Sequence, residues 1–394
     1  MAGAGSFGRN HLRVYRELET AGQGVALVAA IEPHAERAAE TAAKYAIPVF
    51  STPEELLASD LHVDAATVAV PTVHHHAAAA ALLDGGLDLL VEKPLAATLA
   101  EADDLIARAE KNGRVLQPGH LERFNPAVLA VEPRLRRPMF FESHRLSIYT
   151  PRALDVDVVL DLMIHDLDIV LTFARSEVRE VRAVGLPILS PKVDIANVRV
   201  EFESGCVANF TASRVSTERV RKLRFFEPRQ YVSIDYARQD LLVIRMDDGA
   251  AAAKNDAGVL AGGIPPQLLG SLPPELAAGV AAALASGKID SALLAQLAAS
   301  GKIDPALLAM AGSLLKPAQN GPAPGLSFVK PEVTPGEPLK LELLSFVNAV
   351  RTRSAPQVTA RQGRNALALA LEIQSTMAAH AQRAGLGDFF NSSN

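Results

Sequence analysis

The stretch Leu89-Leu90-Val91-Glu92-Lys93-Pro94-Leu95 constrains this chain most, because an apolar run stops abruptly at an acid, a lysine and a proline. Continuous apolar runs of this kind are strands buried on both faces of a parallel sheet. Lys93 then stands at the carboxyl end of such a strand, the edge where open α/β sheets bind their ligands. A lysine partly desolvated there has its pKa lowered and can exchange a proton near neutral pH. Pro94 fixes the backbone that aims it, and a cis peptide bond is one of the two forms open to it. The same residues also fit a solvated strand-end lysine whose proline opens the next helix.

Further runs of this type supply the neighbouring strands. The chain opens Met1-Ala2-Gly3-Ala4-Gly5-Ser6-Phe7-Gly8, with G-x-G-x-x-G spacing, ahead of a helix-like run from His11 to Thr20. Glycines let a backbone approach a pyrophosphate, and the helix N-terminus adds N–H donors and a partial positive charge. Gly3, Gly5, Ser6, Phe7 and Gly8 are therefore candidate dinucleotide contacts. The motif needs a strand before it, and only Met1 and Ala2 precede the first glycine. The first strand, central to the sheet, is expected to be truncated, or the coding start to have been placed late.

Val25 to Ile31 reads as the second strand and ends in Glu32, which lies 24 residues beyond Gly8. An acid there accepts hydrogen bonds from both ribose hydroxyls and repels a 2′-phosphate, which favours NAD over NADP. Its plainer reading is a surface acid capping the next helix. A helix over Ala35 to Tyr45, a short strand at Val49-Phe50, the segment Pro53 to Leu57, and a strand over Ala65 to Val70 come next. Pro71-Thr72 ends that strand, and His74-His75-His76 leads into an alanine-rich helix to Leu83. Consecutive histidines point in different directions and chelate poorly together, so no metal site is expected. A helix over Leu99 to Lys111 and a strand at Val115 to His120 complete a set of βαβ units, so a first domain of parallel sheet ends near residue 120.

Beyond it the period changes. Met139 to Ile148, Val198 to Phe202, Cys206 to Ala212, Leu223 to Phe226, Tyr231 to Asp235 and Leu241 to Arg245 largely alternate apolar and polar residues, as strands of an antiparallel sheet with one buried face do. One helix, Val156 to Phe173, interrupts them and carries Asp161 and His165 at i and i+4. These share a helix face and can hydrogen-bond, the arrangement a general acid or base needs. A buried structural pair has the same spacing. From 249 to 325 the composition shifts to Ala, Leu, Gly and Pro, and Ala285-Ser-Gly-Lys-Ile-Asp290 returns as Ala299-Ser-Gly-Lys-Ile-Asp304. This is expected to be an inserted surface segment without chemistry. The second domain thus comprises 121–248 and 326–390, the latter with helices at Lys340 to Arg353 and Gly363 to Ala384.

Composition removes several function classes. A net charge of −5 leaves no overall surplus for phosphate neutralisation, so no nucleic-acid partner is expected. No apolar run approaches the roughly 20 residues of a membrane span, and no basic-then-apolar leader opens the chain. One cysteine, Cys206, rules out an intrachain disulfide and suits a cytoplasmic location.

Gly3-Ala-Gly-Ser-Phe-Gly8, Pro71-Thr72-x-x-His75, Glu92-Lys93-Pro94, Asp161-x-x-x-His165-x-x-Asp168 and Glu337-Pro-Leu-x-x-Glu342-x-x-x-Phe346 stand in an order that resembles the glucose-fructose oxidoreductase / inositol dehydrogenase (Gfo/Idh/MocA) family. Only 249–325 falls outside the resemblance. It implies an α/β Rossmann domain followed by an α+β domain whose largely antiparallel open sheet mediates homodimer or homotetramer contacts. It implies NAD(P)-linked oxidation or reduction of a sugar or cyclitol hydroxyl. By matching position, Lys93, Asp161 and His165 become the catalytic residues, and Pro71, Thr72, His75, Glu92 and Lys93 join the cofactor contacts. The segments Gly119 to Pro126 and Val193 to Asp235 resemble a subgroup acting on nucleotide sugars, the UDP-N-acetylglucosamine 3-dehydrogenases, which serve lipid A diamino-sugar synthesis. His120, Arg123 and Asn125 are then substrate candidates. The basic set Arg214, Arg219, Arg221, Lys222, Arg224 and Arg229 suits a substrate diphosphate, although spacing alone favours a solvated or subunit-facing strand pair. A free sugar or inositol is an alternative substrate. A non-catalytic NAD-binding regulator is an alternative of another class, disfavoured by the joint presence of Lys93, Asp161 and His165.

Overall fold

The computed structural model describes residues 1–150, 156–246 and 326–386. The insert read in the sequence at 249–325 lies outside them. Helix α1 (Gly8–Thr20) follows the glycine loop, then β1 (Ala30–Ile31), α2 (Ala35–Tyr45), β2 (Val49–Phe50), α3 (Pro53–Leu57) and β3 (Ala65–Val68). Next come α4 (His75–Asp84), β4 (Asp88–Glu92), α5 (Leu99–Asn112), β5 (Leu116–Gly119) and α6 (Pro126–Val131). Strands β3, β4 and β5 pair in parallel, and β1 pairs in parallel with β2. Ala2 links the two groups by parallel bridges to Ile31 and Val68. Strand β4 is buried along its whole length, as its apolar run requires. Helix α5 starts at a capping box in which Thr98 and Glu101 satisfy each other's backbone N–H groups.

The apolar run Val25 to Ile31 is paired only over Ala30–Ile31, shorter than the sequence suggests.

After α6 come β6 (Phe140–Leu146), a π turn (Val159–Met163) that runs into α7 (Ile164–Ala174), β7 (Val178–Leu186), β8 (Ile195–Phe202) and β9 (Val207–Ser213). Strands β10 (Val220–Glu227), β11 (Gln230–Asp235), β12 (Asp240–Met246) and β13 (Leu326–Val329) follow, then α8 (Pro338–Thr352) and α9 (Ala360–Arg383). The sheet order is β13-β12-β11-β10-β6-β9-β8-β7. It is antiparallel at β7–β8, β8–β9 and β12–β13, while β6 and β9 run parallel. Strand β7 was missed in the sequence because charged residues interrupt its alternation: it pairs with β8 but leaves Arg179 and Glu180 exposed.

By contacts the chain divides into two units, one of residues 1–225, 234–240 and 333–394 and the other of 226–233 and 241–332. Two apolar clusters among the described residues lie in the first unit. Val68, Leu82, Leu89, Val91 and Leu105 belong to one. Leu12, Leu18, Leu90, Leu343 and Phe346 belong to the other. In the second unit Val243 to Met246 pair with Leu326 to Val329. Among the described residues no helix is long and apolar enough to cross a membrane.

Candidate active site

The glycine loop is shaped by close packing at its two ends. Gly3 has φ +90°, and a Cβ there would lie 2.7 Å from the Ala69 carbonyl oxygen. A Cβ on Gly8 would lie 1.9 Å from the Gly3 oxygen. Gly5 differs: no atom approaches its Cβ position within 4 Å, which leaves its backbone open to a ligand at the head of α1. Phe7 stacks edge-on against His11 and is 39% exposed, beside Ser6 in the same turn. An open second glycine before a helix N-terminus fits the pyrophosphate of a dinucleotide.

Glu32, at the end of β1, is buried and fully engaged. Its Oε2 accepts from the Ala4 N–H at 2.9 Å, and its Oε1 accepts from the His34 N–H at 3.0 Å and from Arg37 at 2.9 Å. Burial opposes the charge, but these donors outweigh it and hold the carboxyl below its usual range. The acid is thus tied to the glycine loop as well as to the start of α2.

His75, Glu92 and Pro94 fasten neighbouring strand ends. Pro71 precedes a short turn from Thr72 to His74, and His75 then bonds the Pro94 carbonyl at 2.8 Å and the Val70 carbonyl at 2.9 Å. Glu92 bonds the His11 ring at 2.8 Å, so the acid at the end of β4 anchors α1. The Lys93-Pro94 peptide is cis. Of the histidine triplet, His75 is spent on these carbonyls and His76 bonds Asp104 at 2.7 Å.

Lys93 projects from the end of β4 to the π turn. Its Nζ donates to the Asp161 carbonyl at 2.7 Å and the Leu160 carbonyl at 3.3 Å, with the Asp161 carboxylate at 3.7 Å. A π turn widens the helix and leaves carbonyls outside the regular ladder, and such irregular turns recur at functional sites. Here the lysine takes them. Burial lowers the Lys93 pKa, and Asp161 and Glu92 act against that fall. His165 lies one turn on, in α7, with Nδ1 buried and without a partner. Burial first, then the charges of Lys93 and Arg145, push its pKa well below 6.5, so the ring is neutral at physiological pH. No hydrogen bond joins Asp161 to His165. The wider turn spoils the i, i+4 alignment the sequence suggested, and the Asp161 carboxylate turns to Lys93 instead.

The four substrate candidates separate. Arg123 donates to Thr172 at 2.6 Å and is 3% exposed. Asn125 caps α6 and bonds Glu122 and the Tyr236 carbonyl from a buried position. Arg214 is buried against Asp194 at 2.7 Å and the Val156 carbonyl at 2.9 Å, holding the Ile188 to Asp194 loop. His120 alone keeps both ring nitrogens unpartnered, in a buried position that lowers its pKa.

Sequence reading missed Arg145. It makes a two-pronged bond to Asp166 at 2.7 and 3.0 Å, a third bond to Glu122 at 3.1 Å, and lies 5.1 Å above the Tyr236 ring. A signal existed, since Arg145 shares the parity of Phe141 and Ser143, the buried face of β6. Glu342, in α8, is fully buried with both oxygens unpartnered; burial and then Glu92 and Asp168 raise its pKa well above the usual carboxyl range. Among the described residues no three His, Cys, Asp or Glu side chains are gathered as a metal cluster would need.

A glycine loop open at its second glycine, with a lysine and a neutral histidine beside the strand ends, describes a dinucleotide-dependent oxidoreductase. The family model "Oxidoreductase family, NAD-binding Rossmann fold" matches residues 1–120, and the "GFO/IDH/MocA C-terminal domain" matches 127–229. The chain is 36% identical over 248 residues to the UDP-N-acetylglucosamine 3-dehydrogenase of Acidithiobacillus ferrooxidans, covering 63% of this chain and 76% of that one. It is 27% identical to the scyllo-inositol 2-dehydrogenase (NAD(+)) of Bacillus subtilis, over 54% of this chain and 66% of that one. The solved structure of the Acidithiobacillus enzyme, GnnA, superimposes with a TM-score of 0.73 at 28% identity over 97% of each chain. The chain therefore belongs to the Gfo/Idh/MocA family of oxidoreductases, and it is an NAD(P)-dependent oxidoreductase acting on CH–OH groups.

Proposed function

We propose that the protein oxidises the ring hydroxyl at carbon 3 of UDP-N-acetylglucosamine, with NAD rather than NADP as cofactor. One observation carries the assignment of roles: Lys93 is held by the π-turn carbonyls of the helical segment that also bears the neutral, unpartnered His165. Bound NAD supplies the acceptor for the hydride that leaves the carbon. His165 takes the hydroxyl proton at a ring nitrogen, which its low pKa leaves unprotonated and ready. The Lys93 ammonium stabilises the negative charge that grows on the oxygen, and Asp161 keeps that ammonium protonated against burial. Gly5 and the head of α1 would hold the pyrophosphate of the dinucleotide, and Glu32 would accept hydrogen bonds from its ribose.

The sugar nucleotide is favoured over a free sugar by the 36% identity to a UDP-N-acetylglucosamine 3-dehydrogenase. Nicotinamide reduction followed by absorbance tests it directly. Reduction that needs UDP-N-acetylglucosamine and is absent with N-acetylglucosamine or inositol supports the proposal. Turnover of inositol or a free sugar, without turnover of the nucleotide, moves the substrate to the alternative class. NAD binding without turnover of any of them favours a regulator.

A further inference from the structure

Six basic residues crowd the segment from Arg214 to Arg229, and the structure separates them. Arg214 is spent on Asp194 at 2.7 Å. Arg224 donates to Glu142 at 3.2 Å, on the sheet face that Lys222 shares by the alternation of the strand. Arg229 lies in the turn between β10 and β11. Arg219 and Arg221 differ: among the described residues no carboxylate bonds either guanidinium.

The period of the strand places Arg221. It has the parity of Leu223 and Phe225, both buried, so it stands on the face of β10 that meets α7, where the Phe225 ring lies 6.2 Å from Phe173. Its carbonyl is held by the Tyr236 N–H at 3.0 Å. Strand β6 is the neighbour of β10, and its Phe141 lies 5.6 Å from Phe225. Arg145 shares the face of Phe141, further along β6. Desolvation and then the charge of Arg145 lower the Arg221 pKa, while Glu122 acts against that fall. Glu122 and Asp166 are already bonded to Arg145, which leaves Arg221 beside a second cation with no acid of its own. The charge of Arg221 also helps to depress the pKa of His165, so an unpaired guanidinium stands within electrostatic reach of the imidazole assigned as the base.

Resting on the nucleotide-sugar reading above, we propose that Arg221, assisted by Arg219, is the subsite for the phosphate carried on carbon 1 of the sugar, and that this contact makes the nucleotide a requirement for turnover. Two adjacent cations without a free acid are unfavourable until an anion joins them, and a guanidinium takes phosphate oxygens two at a time. The chemistry of the substrate sets the place. Only carbon 2, carbon 1 and the glycosidic oxygen separate the phosphorus from the reacting carbon, so the phosphate contact has to lie close to His165, and Arg221 does. A free sugar or inositol brings no anion and leaves Arg221 uncompensated beside Arg145, which discriminates against it.

The test compares the wild type with Arg221→Met, Arg221→Lys and Arg219→Met. Loss of a charge-assisted contact is expected to raise the KM for UDP-N-acetylglucosamine roughly 10- to 100-fold in Arg221→Met, and less in Arg219→Met. Arg221→Lys keeps the charge and is expected to recover part of the loss. The KM for NAD and the melting temperature are expected to stay at the wild-type values, because Arg221 bonds no side chain of the fold. Calorimetric titration with UDP and with N-acetylglucosamine 1-phosphate is expected to show the same weakening in Arg221→Met. A KM for UDP-N-acetylglucosamine within about twofold of wild type in that variant would overturn the proposal. If the wild type turns over a free sugar and not the nucleotide, the reading of the substrate falls by itself and the titrations judge the subsite. UDP and the sugar phosphate bound equally by wild type and Arg221→Met, or by neither, would then overturn it as well.

Discussion

Arg145 and Lys93 are both cations withdrawn from water, and the helical segment from Val159 to Ala174 serves both, yet they are treated in opposite ways. Arg145 is 3% exposed as a side chain and spends its donors on two buried carboxylates and an aromatic face. Lys93 is 18% exposed and has two backbone carbonyls and one carboxylate at 3.7 Å. His165 and Asp166 are neighbours in sequence and divide the same way: the acid is locked to Arg145, and the imidazole is left with a free nitrogen. Charges that are fully paired fix a geometry. Charges that are under-neutralised can respond to a charge that develops on a ligand, which is what a hydroxyl losing its proton presents.

Two substitutions separate these behaviours. Lys93→Ala is expected to lower turnover roughly 10²- to 10⁴-fold, about 3–5 kcal/mol of barrier, because an electrostatic partner of the reacting oxygen is lost. Its unfolding midpoint in urea is expected to move little, since Lys93 holds no buried countercharge in place. Unchanged turnover would break the comparison at its functional end. Arg145→Met is expected to cost about 3–5 kcal/mol of stability, because Asp166 and Glu122 would be left buried without their partner. A loss below about 1 kcal/mol in denaturant unfolding would show that the arginine cluster does not fix the fold.

The reading from sequence succeeded where chemistry coincides with periodicity. The strand ending at Lys93 is legible because five consecutive buried positions force an apolar run, and the break in it marks the sheet edge. The glycine spacing is legible because Gly3 and Gly8 tolerate no Cβ. The burial of Arg214 is not legible for a physical reason: a basic strand gives no hint that Asp194, 20 residues away, will take its guanidinium into the interior. The link between Asp161 and His165 was misread because regular helical spacing was assumed, and a π turn has no sequence signature comparable to a cap. Strand pairing is a long-range property, so the parallel match of β6 with β9 was not available from local alternation.

Glu32 gives the smallest and sharpest test, because it stands between the two classes. Its oxygens are satisfied by Ala4, His34 and Arg37, as a structural acid's would be, yet it closes the strand where a dinucleotide's ribose is expected. Glu32→Gln keeps the shape and the capacity to accept from Ala4 while removing the charge. If the carboxylate also receives ribose hydroxyls, NAD affinity measured by fluorescence titration falls about tenfold, or about 1.4 kcal/mol, and the preference over NADP narrows because repulsion of a 2′-phosphate is gone. Arg37, released from its partner, would then be free to meet that phosphate, so the narrowing should be smaller in Glu32→Gln combined with Arg37→Ala. A single variant with unchanged affinity for both cofactors would assign Glu32 to the same class as Asp166, an acid whose whole role is to hold its neighbours.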